Sequence, residues 1–417
     1  MSQRFTILDH LAPPGSLWRD GNFMCVFWAT TLSVLGTAVT QMALPLTAIQ
    51  MLHATASDMG VLAACRLLPF ILGLPAGAWI DRSRKRRLAI IFDLFAAGGL
   101  LLVPLAYLAG VLSMPVLCLV AAMVSTTEAI GGSALQVFVT RLVGRERLVM
   151  ANSRLSGASS AAMVAGPALA AALVAMAGAP LAILADAASF FVSALLLSRT
   201  RFDEIPGTRA GGHLLAEVKE GLVLVWRTPM LRALVGVVFV WITLEDSFKA
   251  LYVLFASREL GLQAGDVALI NTLGAVGGLL GAALAHPLER RLHIRRALPV
   301  GILIAACGYL LYVLPSAGGA YTAWAAGAAL LIVDCGSAIY LVNYLSLRQR
   351  VTPDALLGRM VTSMRFLTIL FAPFGTVLIG QAGDRFGLVA TFVGIGVGCM
   401  LMGLAALRGL PGDQART

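Results

Sequence analysis

The chain is poor in charge and almost without lysine. Only Lys85, Lys219 and Lys249 occur in 417 residues, and Asp, Glu, Lys and Arg together make up 12%. A soluble domain carries about 25% charged residues, so the composition excludes an ordinary globular protein. None of the lysines stands in a G-x-x-x-x-G-K-[ST] context, which excludes a phosphate-binding loop and with it an intrinsic ATPase. No H-E-x-x-H or comparable cluster supports a membrane enzyme, so neither catalytic residues, metal ligands nor a cofactor are expected. The six cysteines, Cys25, Cys65, Cys118, Cys307, Cys335 and Cys399, lie in apolar segments without a C-x-x-C pair and read as small hydrophobes. His53, His286 and His293 fall at the edges of apolar runs and read as surface residues. The net charge of +10 would suit nucleic acid, but no basic, aromatic-interleaved module accompanies it.

What is abundant is apolar sequence: 59% hydrophobic residues and a mean hydropathy of +0.87. Since about 20 apolar residues cross a bilayer, the chain holds about twelve spanning helices with short connections and no sizeable soluble domain. The expected fold is therefore all-α and integral to the membrane, with spans at about 22–46, 57–80, 88–109, 115–139, 153–177, 180–198, 231–256, 264–285, 297–314, 319–345, 357–380 and 387–408. Residues 1–21 form an N-terminal segment with neither the short apolar core nor the cleavage site of a signal peptide, so the first span is expected to be retained. Residues 22–198 make a first six-span bundle, 231–408 a second, and 409–417 a polar tail. Between the bundles, 199–230 reads as a linker whose stretch His213–Arg227 has the amphipathic pattern of a helix lying on the membrane surface.

Between the second and third spans lies Asp81-Arg-Ser-Arg-Lys-Arg-Arg87, six charges in seven residues. One charge at the bilayer centre costs about 2.5–3.5 kcal/mol even on the lenient insertion scale, so this loop stays in water. The connections on its side of the membrane also hold Arg141, Arg145, Arg147, Arg199, Arg201, Arg290, Arg291, Arg295, Arg296, Arg348 and Arg350, whereas those on the other side hold only Arg258 and Arg385. Positive loops are retained inside, so a multi-pass topology in the cell (inner) membrane with both termini cytoplasmic is expected. At an offset of 208 positions Asp81-Arg82 falls on Glu289-Arg290, Arg87 on Arg295 and Val143 on Val351. That internal repeat is the arrangement of two parallel halves that rock about a central site.

The stretch Gly77–Arg87, with glycine followed four residues later by aspartate and then a basic run, resembles the signature between spans 2 and 3 of the major facilitator superfamily, although Arg84 replaces its usual second glycine. Leu17-Trp-Arg-Asp20, Val143-Gly-Arg-Glu-Arg-Leu-Val-Met-Ala-Asn152, Gly166-Pro-Ala-Leu-Ala170, Asp186-Ala-Ala-Ser-Phe-Phe-Val-Ser193 and Thr352-Pro-Asp-Ala-Leu-Leu-Gly-Arg359 resemble its prokaryotic drug exporters and enterobactin-type siderophore exporters. The resemblance covers nearly the whole chain. It implies two pseudo-symmetric six-helix bundles, a monomer, and a cavity lined by spans 1, 4, 7 and 10. It also makes Gly77, Asp81, Arg82, Arg86, Arg141 and Arg359 members of a cytoplasmic gate, with a purely topological loop as the alternative. Gly157, Gly166 and Pro167 resemble part of the glycine-rich antiporter motif; ordinary tight helix packing is the alternative.

Ionisable residues inside spans are functional candidates. They are Glu128 in span 4, Glu245, Asp246 and Lys249 in span 7, Asp334 in span 10, Arg66 in span 2 and Arg365 in span 11. Lys249 stands four residues after Glu245, the spacing of an ion pair on one helical face. Glu128 and Asp334 have no basic residue at such spacing and are the better proton carriers, because a carboxyl group in a partly dry cavity can load a proton on one side and release it on the other. Asp93, Arg154 and Asp186 read as structural.

The expected function is a secondary exporter of a small amphipathic compound, drug-like or siderophore, driven by the proton gradient through alternating access and conferring multidrug resistance or siderophore export. Its partners are then the small molecule, protons and the lipid bilayer, with no nucleic acid. Two alternatives stay open. One is an uptake permease for an organic anion that uses Arg66 and Arg365; the other is a sensor or lipid-moving protein.

Overall fold

The computed structural model describes residues 17–72, 79–80, 82–202, 204, 214–315, 319, 321–353 and 356–410, and among them every regular element is helical. The first helix, α1 (Gly21–Leu52), begins where the Asp20 carboxylate accepts the Asn22 and Phe23 N–H groups at 3.1 and 3.2 Å, and ends at His53 in the left-handed conformation. After it, α2 (Ala56–Leu67) is opened by a reciprocal cap between Thr55 and Asp58 and tightens into a 3-10 turn over Leu68–Leu72, which contains Pro69. The first bundle is completed by α3 (Lys85–Leu108), α4 (Met114–Gly144), α5 (Glu146–Ala177) and α6 (Ala179–Arg199). The linker helix α7 (Leu214–Arg227) precedes α8 (Pro229–Arg258), α9 (Ala264–Leu292), α10 (Ile294–Leu311), α11 (Thr322–Arg350), α12 (Leu357–Phe386) and α13 (Leu388–Gly409). Nine of these helices are long and apolar enough to cross a membrane, or ten with the bent pair α7–α8.

Several connections are shorter than hydropathy suggests. Residues 140–152 read as a loop, yet the chain stays helical there except at Gly144, whose φ of 74° makes the break between α4 and α5. Likewise α9 passes into α10 through His293 alone, at φ 61°. Charged residues such as Arg141, Arg147, Arg290 and Arg291 end a hydropathic span but do not end a helix, so the helices project beyond the apolar stretch on that side. This basic face is the end of the molecule that carries the basic connections.

Within the first bundle α1 packs on α5 and α6, and α3 on α4 and α6; within the second, α11 packs on α9 and α10, and α10 on α13. Gly277 and Gly281 let α9 approach α11 until the backbones touch, since a Cβ at either would run into the carbonyl oxygen of Leu331 or Cys335. Such small-residue seams suit helices that gain little from apolar burial against lipid. Phe248, Phe255, Tyr309, Tyr312 and Phe392 fill the core of the second bundle. Across the two bundles α2 packs along α12, and α9 against the segment Ser133–Ala177. The linker helix meets α8 at a bend of 101°, so it lies across the ends of the spans, and it packs on α12 with Val225 buried and Trp226 exposed.

Candidate functional site

An acid-rich cluster joins the two bundles near mid-span. It is built from side chains of α2, α4, α8 and α11. The π-helical turn Thr127–Gly132 interrupts α4 and carries Glu128. Such a turn adds one residue to the helical repeat and re-aims the side chain it holds, and π-bulges are frequent at functional sites. Thr127 fixes the turn against α3 by donating its hydroxyl to the Phe92 carbonyl at 3.0 Å. On α8, Lys249 Nζ lies 2.7 Å from Glu245 Oε1, one turn away, as the spacing indicated. Asp334 on α11 sits against Gly274 of α9, where a Cβ would come within 2.6 Å of its Oδ2.

Electrostatic neighbours cross between the helices. Arg66 of α2 acts on Glu128 within its own bundle and on Asp246 in the other. Lys249 faces Glu245, Asp246 and Asp334 together. Its side chain is 54% exposed, so water reaches it. Two cations among the described side chains thus face four carboxyl groups. The surplus of acid leaves the cluster able to hold protons or to receive a cationic group.

The structure adds residues that the sequence did not single out. Tyr252, one turn beyond Lys249, donates its hydroxyl to Asn271 Oδ1 of α9 at 2.8 Å and stands in the field of Asp334, Lys249 and Arg66. Neutral Tyr and Asn in apolar helices carry no cost large enough to mark them in a hydropathic profile. Only the placement of Tyr252 three residues after Lys249 on the same helical face was a signal.

Arg365 and Arg359 lie in α12 with side chains outside the description, and Gly77 and Asp81 fall outside the described residues. Arg82 and Arg141 are exposed. Arg86 is tied to the start of the linker: its N–H donates to Glu204 Oε2 at 2.9 Å and its guanidinium to the Thr200 carbonyl. A cleft of about 770 Å³ beside it, lined by Arg86, Ser198, Arg199, Thr200, Arg201 and Phe202, has no carboxylate in its lining and lies on the basic face, away from the acid cluster. Gly166 abuts Ala38 of α1, next to Pro167 inside α5, whereas Gly157 faces open space. Of the residues read as structural, Asp93 accepts from Ser193 at 2.7 Å, Asp186 is buried against Ser189 at 3.1 Å, and Arg154 lies over the Trp18 ring at 4.4 Å.

Residues 26–368 match the family model of the Major Facilitator Superfamily, and the chain belongs to that family of membrane transporters. The multidrug efflux pump Tap of Mycolicibacterium fortuitum is 28% identical over 414 residues, covering 93% of this chain and 96% of the pump. The protein of the same name from Mycobacterium tuberculosis is 25% identical over 410 residues, with 93% of each chain covered. Among solved structures, the nucleoside transporter NupG superposes with a TM-score of 0.76 at 10% identity, covering 93% of this chain and 98% of its own. A bacterial homologue of the iron transporter ferroportin, in an inward-facing state, gives 0.72 at 19% identity with 93% and 97% coverage. These structural likenesses establish the fold, two six-helix bundles.

Proposed function

We propose that this protein is a secondary exporter that moves small amphipathic drug-like molecules across the cell membrane in exchange for protons. The observation that carries the proposal is the acid surplus at the junction of the bundles, where among the described side chains four carboxyl groups, Glu128, Glu245, Asp246 and Asp334, share two cations, Arg66 and Lys249. An ionised carboxylate enclosed without its own cation is costly, so such a group exchanges a proton when the cavity changes the side it faces. A cationic or neutral amphipathic compound entering the cavity competes with that proton. The similarity to pumps named for multidrug efflux over nearly the full chain supports the direction and the substrate class. On this reading the basic face is cytoplasmic, which the distribution of arginines supports.

The test is proton release on ligand binding. Detergent-purified protein in weak buffer with a pH-sensitive dye is titrated with ethidium and a panel of other amphipathic drugs. Wild type should release protons on binding, and Glu128→Gln or Asp334→Asn should bind without release. Binding with no proton release by wild type would sink the antiport reading, and binding confined to organic anions, lost in Arg66→Gln, would replace it with an anion permease.

A further inference from the structure

On the face opposite the basic loops, one turn of the first bundle is held by two charged side chains of the second. The turn is His53-Ala-Thr55, between α1 and α2. Arg258, the last residue of α8, donates Nη2 to the carbonyl oxygens of His53 at 3.0 Å and Ala54 at 2.7 Å. Asp384, near the end of α12, accepts the N–H of Ala56 at 2.9 Å and of Ser57 at 3.0 Å. The carbonyls that follow α1 and the first N–H groups of α2 are groups that helical hydrogen bonding leaves unpaired. A cation meets the negative end of one helix and an anion the positive end of the next, which is the favourable sense for both macrodipoles. All four bonds cross between the bundles.

Beneath them the two helices pack backbone to backbone. A Cβ at Gly60 of α2 would lie 2.6 Å from the Thr376 carbonyl oxygen of α12, and one at Gly380 would lie 2.6 Å from the Ala56 carbonyl oxygen. Gly383 leaves similar room for Ala56.

We propose that Arg258 and Asp384 form a latch that holds this face shut, and that its release is a step in opening the cavity to that side. The latch is distinct from the acid cluster and from the basic gate loop; it acts on the balance between the two open states and not on proton or substrate binding. When the bundles part, water replaces both charged partners, so each contributes the difference between a charge-assisted bond and a hydrated one. Removing either should shift the closed-to-open ratio by about tenfold, and removing both by more.

Amide hydrogen exchange of the full-length protein in detergent tests this. In Arg258→Ala and Asp384→Ala, exchange should rise about tenfold in the peptides spanning α2 and the last three turns of α12. It should fall at the basic ends of the spans, where the two bundles would close on each other when the opposite face opens. Arg258→Lys, which keeps the cation, should recover part of the protection, and a correctly folded variant is recognised by unchanged exchange in α10. Faster exchange limited to residues 53–57 would reduce the two side chains to local caps and overturn the proposal. So would exchange across both helices that matches wild type.

Discussion

At the residue scale, a few charges stand where charge is expensive. Glu245 and Lys249 form a close pair, so Lys249→Ala leaves Glu245 facing Asp246 and Asp334 without its cation. Breaking one partner of an enclosed pair is strongly destabilising, by about 3–5 kcal/mol in dry sites and less where water reaches. Because Lys249 is half-exposed, a loss of no more than about 1 kcal/mol is expected, read as a thermal shift in detergent. Glu245→Gln should restore most of that loss when combined with Lys249→Ala. Asp384 behaves differently because it lies at the membrane edge. Burial opposes its ionisation, but the Ser57 hydroxyl and the Ser57 and Ala56 N–H groups outweigh it and hold the carboxyl below its ordinary range. A depressed carboxyl contributes above the unbound value of about 3.9 and is lost as pH falls through the lower, bound value. Protection of α2 should therefore be flat from pH 5 to pH 8, and exchange corrected for its intrinsic pH dependence checks this.

At the element scale, helices end or bend where backbone geometry dictates, and hydropathy does not see it. The spans were legible because hydrocarbon tolerates only hydrogen-bonded backbone and few charges. The continuity of α4 into α5 was not, since Arg141, Arg145 and Arg147 resemble a loop by charge yet are good helix formers. The π-turn at Glu128 also left no trace, because it depends on how Thr127 and Gly131 meet Phe92 of α3. Glycine seams were half-legible: Gly274, Gly277 and Gly281 in α9 mark a smooth face, but only the structure gives its partner as α11. Gly281→Val drives a branched side chain into the Cys335 carbonyl and should cost about 1–3 kcal/mol. A fall of several degrees in melting temperature checks it; an unchanged melt would mean that α9 and α11 separate at little cost.

At the scale of the whole molecule, two bundles meet around a charged centre and are clamped at one face. The sequence indicated the bundles through the 208-residue offset and named the acids, because both follow from one-dimensional cost and spacing. It was silent on which acids share a cation: Arg66 and Glu128 are separated by a whole span, and Arg66 and Asp246 by half the chain. Arg258, beside Glu259, and Asp384, beside Arg385, fall in outer connections with nothing in the sequence to join the two. The proposed cycle combines these parts: protons would enter the acid cluster from one side, drug would displace them from the other, and the latch of Arg258 and Asp384 would release between the two states.

The most direct measurement of that cycle is drug accumulation in inside-out membrane vesicles under an imposed pH gradient, comparing wild type with Glu128→Gln and Asp334→Asn. The account predicts gradient-dependent accumulation in wild type that collapses when a protonophore abolishes the gradient, and a loss of about tenfold or more in at least one variant that still binds drug. Accumulation that is indifferent to the gradient, or equal in wild type and both variants, would contradict it.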